Sequence, residues 1–124
     1  MKQPIDLQEG IEKVRALADE IYRRGENADE FLPIGKVGPC CIYIAASHDH
    51  PMRPDGKEVH ANPRDCFIQI LEGAMQVFFV AVGEHHDVNP GEGISIGKGV
   101  EHWAHFPNLT IYLAIVDEGL SSEM

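Results

Sequence analysis

At Gly25 the spacing of the apolar residues changes from a helical to a strand-like pattern, and this change constrains the fold. From Gly25 onward, short apolar runs rich in Val, Ile, Phe and Tyr are separated by segments that contain Gly and Pro. Such runs are typical of β-strands joined by turns. They predict strands over residues 38–47, 58–61, 65–71, 74–82, 93–96, 102–106 and 109–116, with a turn over 83–93. Many short strands at regular spacing predict an all-β sandwich or barrel rather than alternating strands and helices.

The residues before Gly25 follow a helical pattern instead. Apolar side chains recur every three or four residues from Asp6 to Arg24, as they do on one face of an amphipathic helix. Asp6 and Glu9 have the spacing of a capping box, and Gly25 is placed to end the helix. We expect this helix to pack on the outside of a sheet. A dimer contact or a lid is the alternative.

The length of 124 residues fits one domain. We expect residues 1–36 to form the helix and a linker packed on the barrel, and residues 37–124 to form the barrel. A domain of this size can fold without a metal or disulfides as staples, so a bound metal would serve function rather than folding. The three cysteines do not make a disulfide framework, and we expect most of them to be buried, reduced thiols.

The net charge of −10, from 20 acidic and 10 basic residues, disfavours some partners. Nucleic acid and an anionic membrane surface would be repelled over much of this surface, so we expect neither as a partner. No apolar run approaches the roughly 20 residues of a membrane helix. The first ten residues also lack the apolar centre of a secretory signal. The sequence therefore predicts a cytoplasmic protein.

Seven histidines are the second compositional signal. Imidazole titrates near neutral pH and is the commonest metal ligand. Because side chains alternate between the two faces of a strand, one set points into the barrel. That set is His60, Asn62, Cys66, Ile68, Ile70, His102, Ala104 and Phe106, whereas Trp103 and His105 point outward. His60 and His102 are therefore the leading candidates for a functional site.

Residues 58–116 resemble the cupins in the spacing of two motifs. The first cupin motif is Gly, five residues, His-x-His, three or four residues, Glu, six residues, Gly. With Gly73 as its last glycine, His60 and Asn62 fall at the His pair and Cys66 at the Glu. The second motif is Gly, five residues, Pro-x-Gly, two residues, His, three residues, Asn. Its positions here are Gly91, Gly97 in place of Pro, Gly99, His102 and Phe106 in place of Asn. The resemblance implies a single RmlC-like jelly-roll β-barrel.

In cupins the two His of the first motif, the Glu and the His of the second motif usually hold one divalent metal. The resemblance implies such a metal here, with Fe, Mn, Zn or Ni as the choices. His60 and His102 match the motif directly. The pair His48 and His50 also forms a His-x-His sequence, next to a Pro-rich loop that is placed to fold over the barrel mouth. The candidate metal ligands are His60, His102, His50, His48, Asn62 and Cys66.

A narrower resemblance links the chain to the ureidoglycolate lyase branch of cupin-like proteins. It lies in the spacing from His60 through Gly73 to Gly83, in the run from Gly99 to His105, and in the closing residues 115–119. That branch often has a Trp-His-His cluster where this chain has His102-Trp103-Ala104-His105.

We therefore predict a protein that binds a small polar metabolite, a carboxylate or carbonyl compound, inside the barrel. A divalent metal would polarise an oxygen of that molecule, and His60 and His102 would be catalytic. A non-catalytic sensor with a degenerate metal site and a metal-free lyase or isomerase with a histidine base are the alternatives. Unpaired edge strands also predict a homodimer. The predicted apolar lining is Ile68, Ile70, Met75, Val77, Phe79 and Phe106.

Overall fold

The computed structural model of the protein describes residues 6–51 and 59–118. Within these residues one helix precedes nine strands. The helix α1 is Leu7–Arg23, and the strands are β1 Ala28–Val37, β2 Cys40–His48, β3 His60–Ala61, β4 Cys66–Glu72, β5 Met75–Phe79, β6 Glu84–Val88, β7 Gly93–Ile96, β8 Glu101–His105 and β9 Thr110–Asp117. In this part of the chain, no helix is long and apolar enough to cross a membrane.

The strands form two antiparallel sheets. The five-stranded sheet has the order β1-β2-β9-β4-β7, and the four-stranded sheet has the order β3-β8-β5-β6. Strand β9 lies at the centre of the larger sheet, where it pairs with both β2 and β4. The prediction of an all-β fold with an N-terminal helix is confirmed.

Alternation along the strands separates two apolar cores. Ala45 and its neighbours on one face of β2 join Ile70, Met75 and Val77 in a cluster to which both sheets contribute. The opposite face of β2, with Ile44, packs against the buried stripe of helix α1. Each fully buried aliphatic side chain stabilises the fold by about 1.5–3 kcal/mol. The helix therefore covers the outside of the larger sheet, as its pattern predicts.

The N-terminal end of helix α1 differs from the sequence prediction, and the C-terminal end agrees with it. At the start, Asp6 has the extended backbone of an N-cap, but its side chain makes no capping hydrogen bond, so the predicted capping box does not form. The Gly10 amide instead donates to the Asp6 carbonyl over 2.9 Å. At the end, Gly25 adopts a φ of 85° and its amide donates to the Tyr22 carbonyl over 2.9 Å. The helix ends where its glycine predicts.

The turn between β4 and β5 requires glycine at position 73. Gly73 has a φ of 88°, and a Cβ there would lie 2.5 Å from Thr110 Oγ1. That hydroxyl donates to the Ala74 carbonyl over 2.9 Å and accepts from the Ala74 amide over 3.1 Å. The turn is thereby docked on β9, which accounts physically for the last glycine of the first motif.

Two strands lie where the sequence pattern predicts none. Strand β1 occupies residues assigned to the linker, and β6 occupies the predicted 83–93 turn. Strand β1 is an edge strand whose pairing shifts register between Pro33 and Gly35, residues that read as strand breakers. Strand β6 is another edge, and its first four residues are exposed and polar. In β1, Ala28, Leu32 and Ile34 share the core-facing side but are interrupted by Glu30, and the first four residues of β6 carry no apolar alternation.

Candidate functional site

A cavity of about 650 Å³ is lined by residues of both sheets. Three of the six predicted apolar residues line it, namely Ile68, Met75 and Phe106. Two others, Ile70 and Val77, are fully buried in the core cluster, and Phe79 packs against that cluster. The volume lies within the range of about 300–1,000 Å³ that small-molecule sites occupy.

Two histidines meet in the wall of this cavity. His60 on β3 is paired directly with His102 on β8, and the two ring centroids are 4.3 Å apart. His102 is only 2% exposed. Its Nδ1 lies 2.9 Å from the Val100 carbonyl oxygen, which can only accept, so Nδ1 carries the proton and Nε2 keeps its lone pair. The predicted pair is therefore formed, with one imidazole fixed in a single tautomer.

The surroundings of His102 favour its neutral form. Burial lowers the pKa of the imidazole below its ordinary value of 6.5, and the nearby His60 lowers the pKa further. The hydrogen bond to Val100 raises the pKa, but this effect is smaller than that of burial. Near neutral pH, His102 is consequently a base rather than a cation.

Three further side chains from the β3–β4 region line the cavity, namely Asn62, Arg64 and Cys66. The Asn62 carbonyl accepts from the Gly99 amide over 2.9 Å, which ties this loop to the turn before β8. The Arg64 guanidinium donates to the Glu118 carbonyl. Burial raises the pKa of the Cys66 thiol, so this side chain stays protonated near neutral pH and is a poor replacement for a carboxylate.

The structure does not bring His48 and His50 to this cavity. Tyr22 of helix α1 stacks on the His48 ring at 3.7 Å between centroids and 6° between planes, and on the tilted His50 ring at 4.6 Å. Neither histidine is among the described residues that line the cavity. His48 follows Ile44 and Ala46 on the helix-facing side of β2, which is the physical reason. The Pro-rich loop at 52–58 lies outside the described residues.

The metal site that the resemblance implies is only half present in the described chain. His60 and His102 lie side by side, and the side chain of Asn62 lines the same cavity. Across residues 6–51 and 59–118, no group of three or more His, Cys, Asp or Glu side chains is arranged to hold a metal. Two imidazoles fall short of the four ligands that structural sites use or the three of catalytic sites. These residues alone do not fit a divalent metal.

His105 points away from the cavity lining, as strand alternation predicts. Its Nδ1 lies 2.8 Å from Asp49 Oδ2, an oxygen that also accepts from the Phe106 amide over 2.9 Å. The Asp49 amide donates in return to the Phe106 carbonyl over 2.9 Å. This pair joins the end of β2 to the end of β8 and has a structural role.

Four polar or aromatic residues of the cavity wall were not predicted from the sequence. They come from β1, β2 and β9, and they are Asp29, Phe31, Tyr43 and Tyr112. The signal that was available is the spacing of two between Asp29 and Phe31, which places both on one face of a strand. The composition of this stretch instead predicts a linker, so Asp29 and Phe31 were not predicted to lie at the site.

Comparison with known proteins shows the fold. The sequence matches no family model and none of the curated proteins. Among solved structures, the EutQ protein of Clostridium difficile has a TM-score of 0.60 and 11% identity, over 73% of this chain and 68% of that chain. A cupin-2 domain protein from Shewanella frigidimarina has a TM-score of 0.59 and 17% identity, over 78% of this chain and 88% of that chain. The chain has the cupin fold.

Another structural neighbour has a metal in its name. The FeII form of HppE has a TM-score of 0.55 and 10% identity, over 73% of this chain and 50% of that chain. Within the cupin fold, the motif glycines Gly73, Gly91 and Gly99 all have positive φ, between 78° and 88°. Glycine adopts a positive φ without steric strain, so these three turns favour glycine. This supports the assignment of the three residues to the cupin motifs.

Proposed function

We propose that the barrel cavity binds a small carboxylate or carbonyl compound, with His60 and His102 in contact with its polar group. The observation that carries the proposal is the cross-strand histidine pair in the cavity wall, with the Nε2 lone pair of His102 left available by the Val100 hydrogen bond. A buried base beside an apolar wall is an arrangement that binds and orients a polar molecule.

Each polar side chain has a distinct part in this proposal. The Arg64 guanidinium is suited to a carboxylate, because it offers several charge-assisted donors. The neutral His102 accepts a hydrogen bond from a hydroxyl group, and the Asn62 amide donates to a carbonyl oxygen. A carboxylate next to a hydroxyl group satisfies all three, because its oxygens accept from Arg64 and Asn62 and its hydroxyl donates to His102, whereas a carbonyl in place of the hydroxyl satisfies Arg64 and Asn62.

A second candidate is a metal-free lyase or isomerase reaction. It is favoured by the neutral, tautomerically fixed His102, which is poised to accept a proton at Nε2 from a carbon next to a carbonyl group. The C–H proton of the substrate would move to Nε2, which makes His102 a cation. The same proton would then pass to the product, so His102 ends the cycle neutral. A non-catalytic metabolite sensor uses the same contacts without this transfer.

The divalent metal stays a prediction. The FeII name of HppE describes that protein, and the ligand set described for this chain stops at two histidines. When bound, a metal would act as a Lewis acid on a substrate oxygen. Metal analysis of protein purified without a His tag tests the prediction. A stoichiometric metal lost on His102→Gln supports it, and its absence contradicts it.

Side-chain NMR of the histidines tests the proposed function. The probes are lactate and pyruvate, which differ at one carbon in having a hydroxyl or a carbonyl group. We expect both to shift the His102 Nε2 resonance, and lactate to shift it more, because its hydroxyl donates to that nitrogen. The exposed His85 on β6 is the internal control. Saturating probe that leaves His60 and His102 unchanged would contradict the proposal.

The homodimer and the cytoplasmic location also stay predictions. Light scattering at working concentration decides the first: a doubled mass supports the dimer, and a single-chain mass contradicts it. Fractionation of the cells that produce the protein decides the second.

A further inference from the structure

The cavity wall on the five-stranded sheet is aromatic. The Phe31 ring meets Tyr43 edge-on at 6.3 Å and Tyr112 edge-on at 6.2 Å. The Phe106 ring stacks on Tyr112 at 5.5 Å, with 8° between the planes. All four rings line the cavity. Phe31 is 52% exposed, so this aromatic wall reaches the solvent-accessible side of the cavity.

A carboxylate is held beside these rings. Asp29 lies two residues before Phe31 on the same face of β1 and lines the same cavity. The fully buried Ser47 donates its hydroxyl to Asp29 Oδ1 over 2.6 Å. This bond uses the only hydroxyl proton of Ser47. The Tyr112 hydroxyl is therefore the donor in the 2.8 Å contact between Tyr112 and Ser47. Asp29 is thus oriented by a two-step hydrogen-bond chain from the buried core.

Asp29 has no countercharge within the described part of the chain. Its carboxylate accepts the Ser47 hydrogen bond, and no Lys, Arg or His of residues 6–51 and 59–118 forms an ion pair with it. The cationic and basic side chains of the cavity, Arg64, His60 and His102, come from the four-stranded sheet and the loop that follows β3. The cavity therefore has an anionic aromatic wall and a basic wall.

Resting on the proposed function, we propose that the bound molecule is a small zwitterion. Its carboxylate or carbonyl group meets Arg64 and the histidine pair, and its ammonium-type cation lies at Asp29 among the rings of Phe31, Tyr43 and Tyr112. Aromatic faces attract cations through the ring quadrupole, and a carboxylate adds a direct charge partner.

Two probes of the same shape test the cation. Glycine betaine carries a trimethylammonium group and a carboxylate, and 3,3-dimethylbutanoate replaces the nitrogen by a neutral carbon. Binding is measured by NMR titration of the full chain. We expect betaine to bind at least about tenfold more tightly than the neutral analogue, with the charge of Asp29 as the main contribution and the aromatic rings as the smaller one. Asp29→Asn, which keeps an oxygen for Ser47, should remove the preference, whereas Asp87→Asn on the exposed strand β6 should keep it.

The outcomes separate this inference from the proposed function. Equal binding of the two probes to the native chain would overturn the zwitterion inference and leave carboxylate binding intact. A betaine preference that survives Asp29→Asn would overturn the role of Asp29. If neither probe binds while lactate shifts His102, the inference fails and the proposed function stands. If betaine, dimethylbutanoate and lactate all fail to bind, both fail.

Discussion

Two pairs of histidines occupy different environments in this protein. His60 and His102 face a cavity that is open to small molecules, whereas His48 and His50 lie against the ring of Tyr22 under helix α1. Burial lowers the pKa of His102 and of His48 alike. A shifted pKa therefore does not mark the functional pair. Position in the cavity wall distinguishes His60 and His102 from His48 and His50.

The largest expected effect separates the two pairs by ligand binding. His102→Gln removes the fixed Nε2 lone pair from the cavity and should weaken lactate binding by about tenfold or more, as loss of a buried hydrogen bond does. His48→Gln should leave lactate binding unchanged. NMR titration of both variants measures the difference. Equal losses in the two variants would remove the functional distinction between the pairs.

The second effect is on stability and concerns the other pair. Tyr22→Ala removes the ring that stacks on His48 and His50, and it should lower the free energy of unfolding by about 1–2 kcal/mol. Lactate affinity should not change, because Tyr22 does not line the cavity. Urea unfolding of this variant, followed by titration with lactate, checks both halves. A loss of affinity would show that the two regions are coupled.

The third effect is shared by both pairs and appears as pH dependence. His102 and His48 have pKa values below the ordinary 6.5, so the unfolded chain binds more protons than the folded chain in the interval between the two pKa values. Stability should therefore be fully present above pH 6.5 and fall as the pH drops towards the lowered values. Melting temperatures from pH 7.5 to 5 measure this. His102→Gln and His48→Gln should each flatten the dependence, and a steeper slope in either would contradict the assignment.

The smallest effect is on metal affinity. By itself, the two-histidine donor set of the cavity should hold Zn²⁺ more weakly than a complete site. His102→Gln should remove the remaining weak binding, whereas His48→Gln should not. Competition titration with a zinc indicator measures both variants. Retention of one metal per chain through dialysis would show that residues beyond His60 and His102 complete the site.

The sequence predicts the histidine wall of the cavity well, but of the acidic aromatic wall it predicts only Phe106. His60 and His102 lie in strands whose alternation and motif spacing are both readable. Asp29 and Phe31 lie on an edge strand interrupted by Pro33 and Gly35, so their stretch has the composition of a linker.

Two other differences have the same origin in tertiary contacts. The polar edge strand β6 reads as a turn, because its strand conformation comes from pairing with β5 rather than from its own apolar pattern. The His-x-His sequence at His48 and His50 reads as a ligand pair. Its orientation is set by helix α1, whose docking on β2 could not be placed to that detail from periodicity alone.

A crystal structure grown with lactate tests the central claim most directly. The account predicts electron density for lactate in the cavity, with its hydroxyl within hydrogen-bond distance of His102 Nε2 and its carboxylate towards Arg64. Density for lactate at Tyr22, His48 and His50, with an unoccupied cavity, would contradict it.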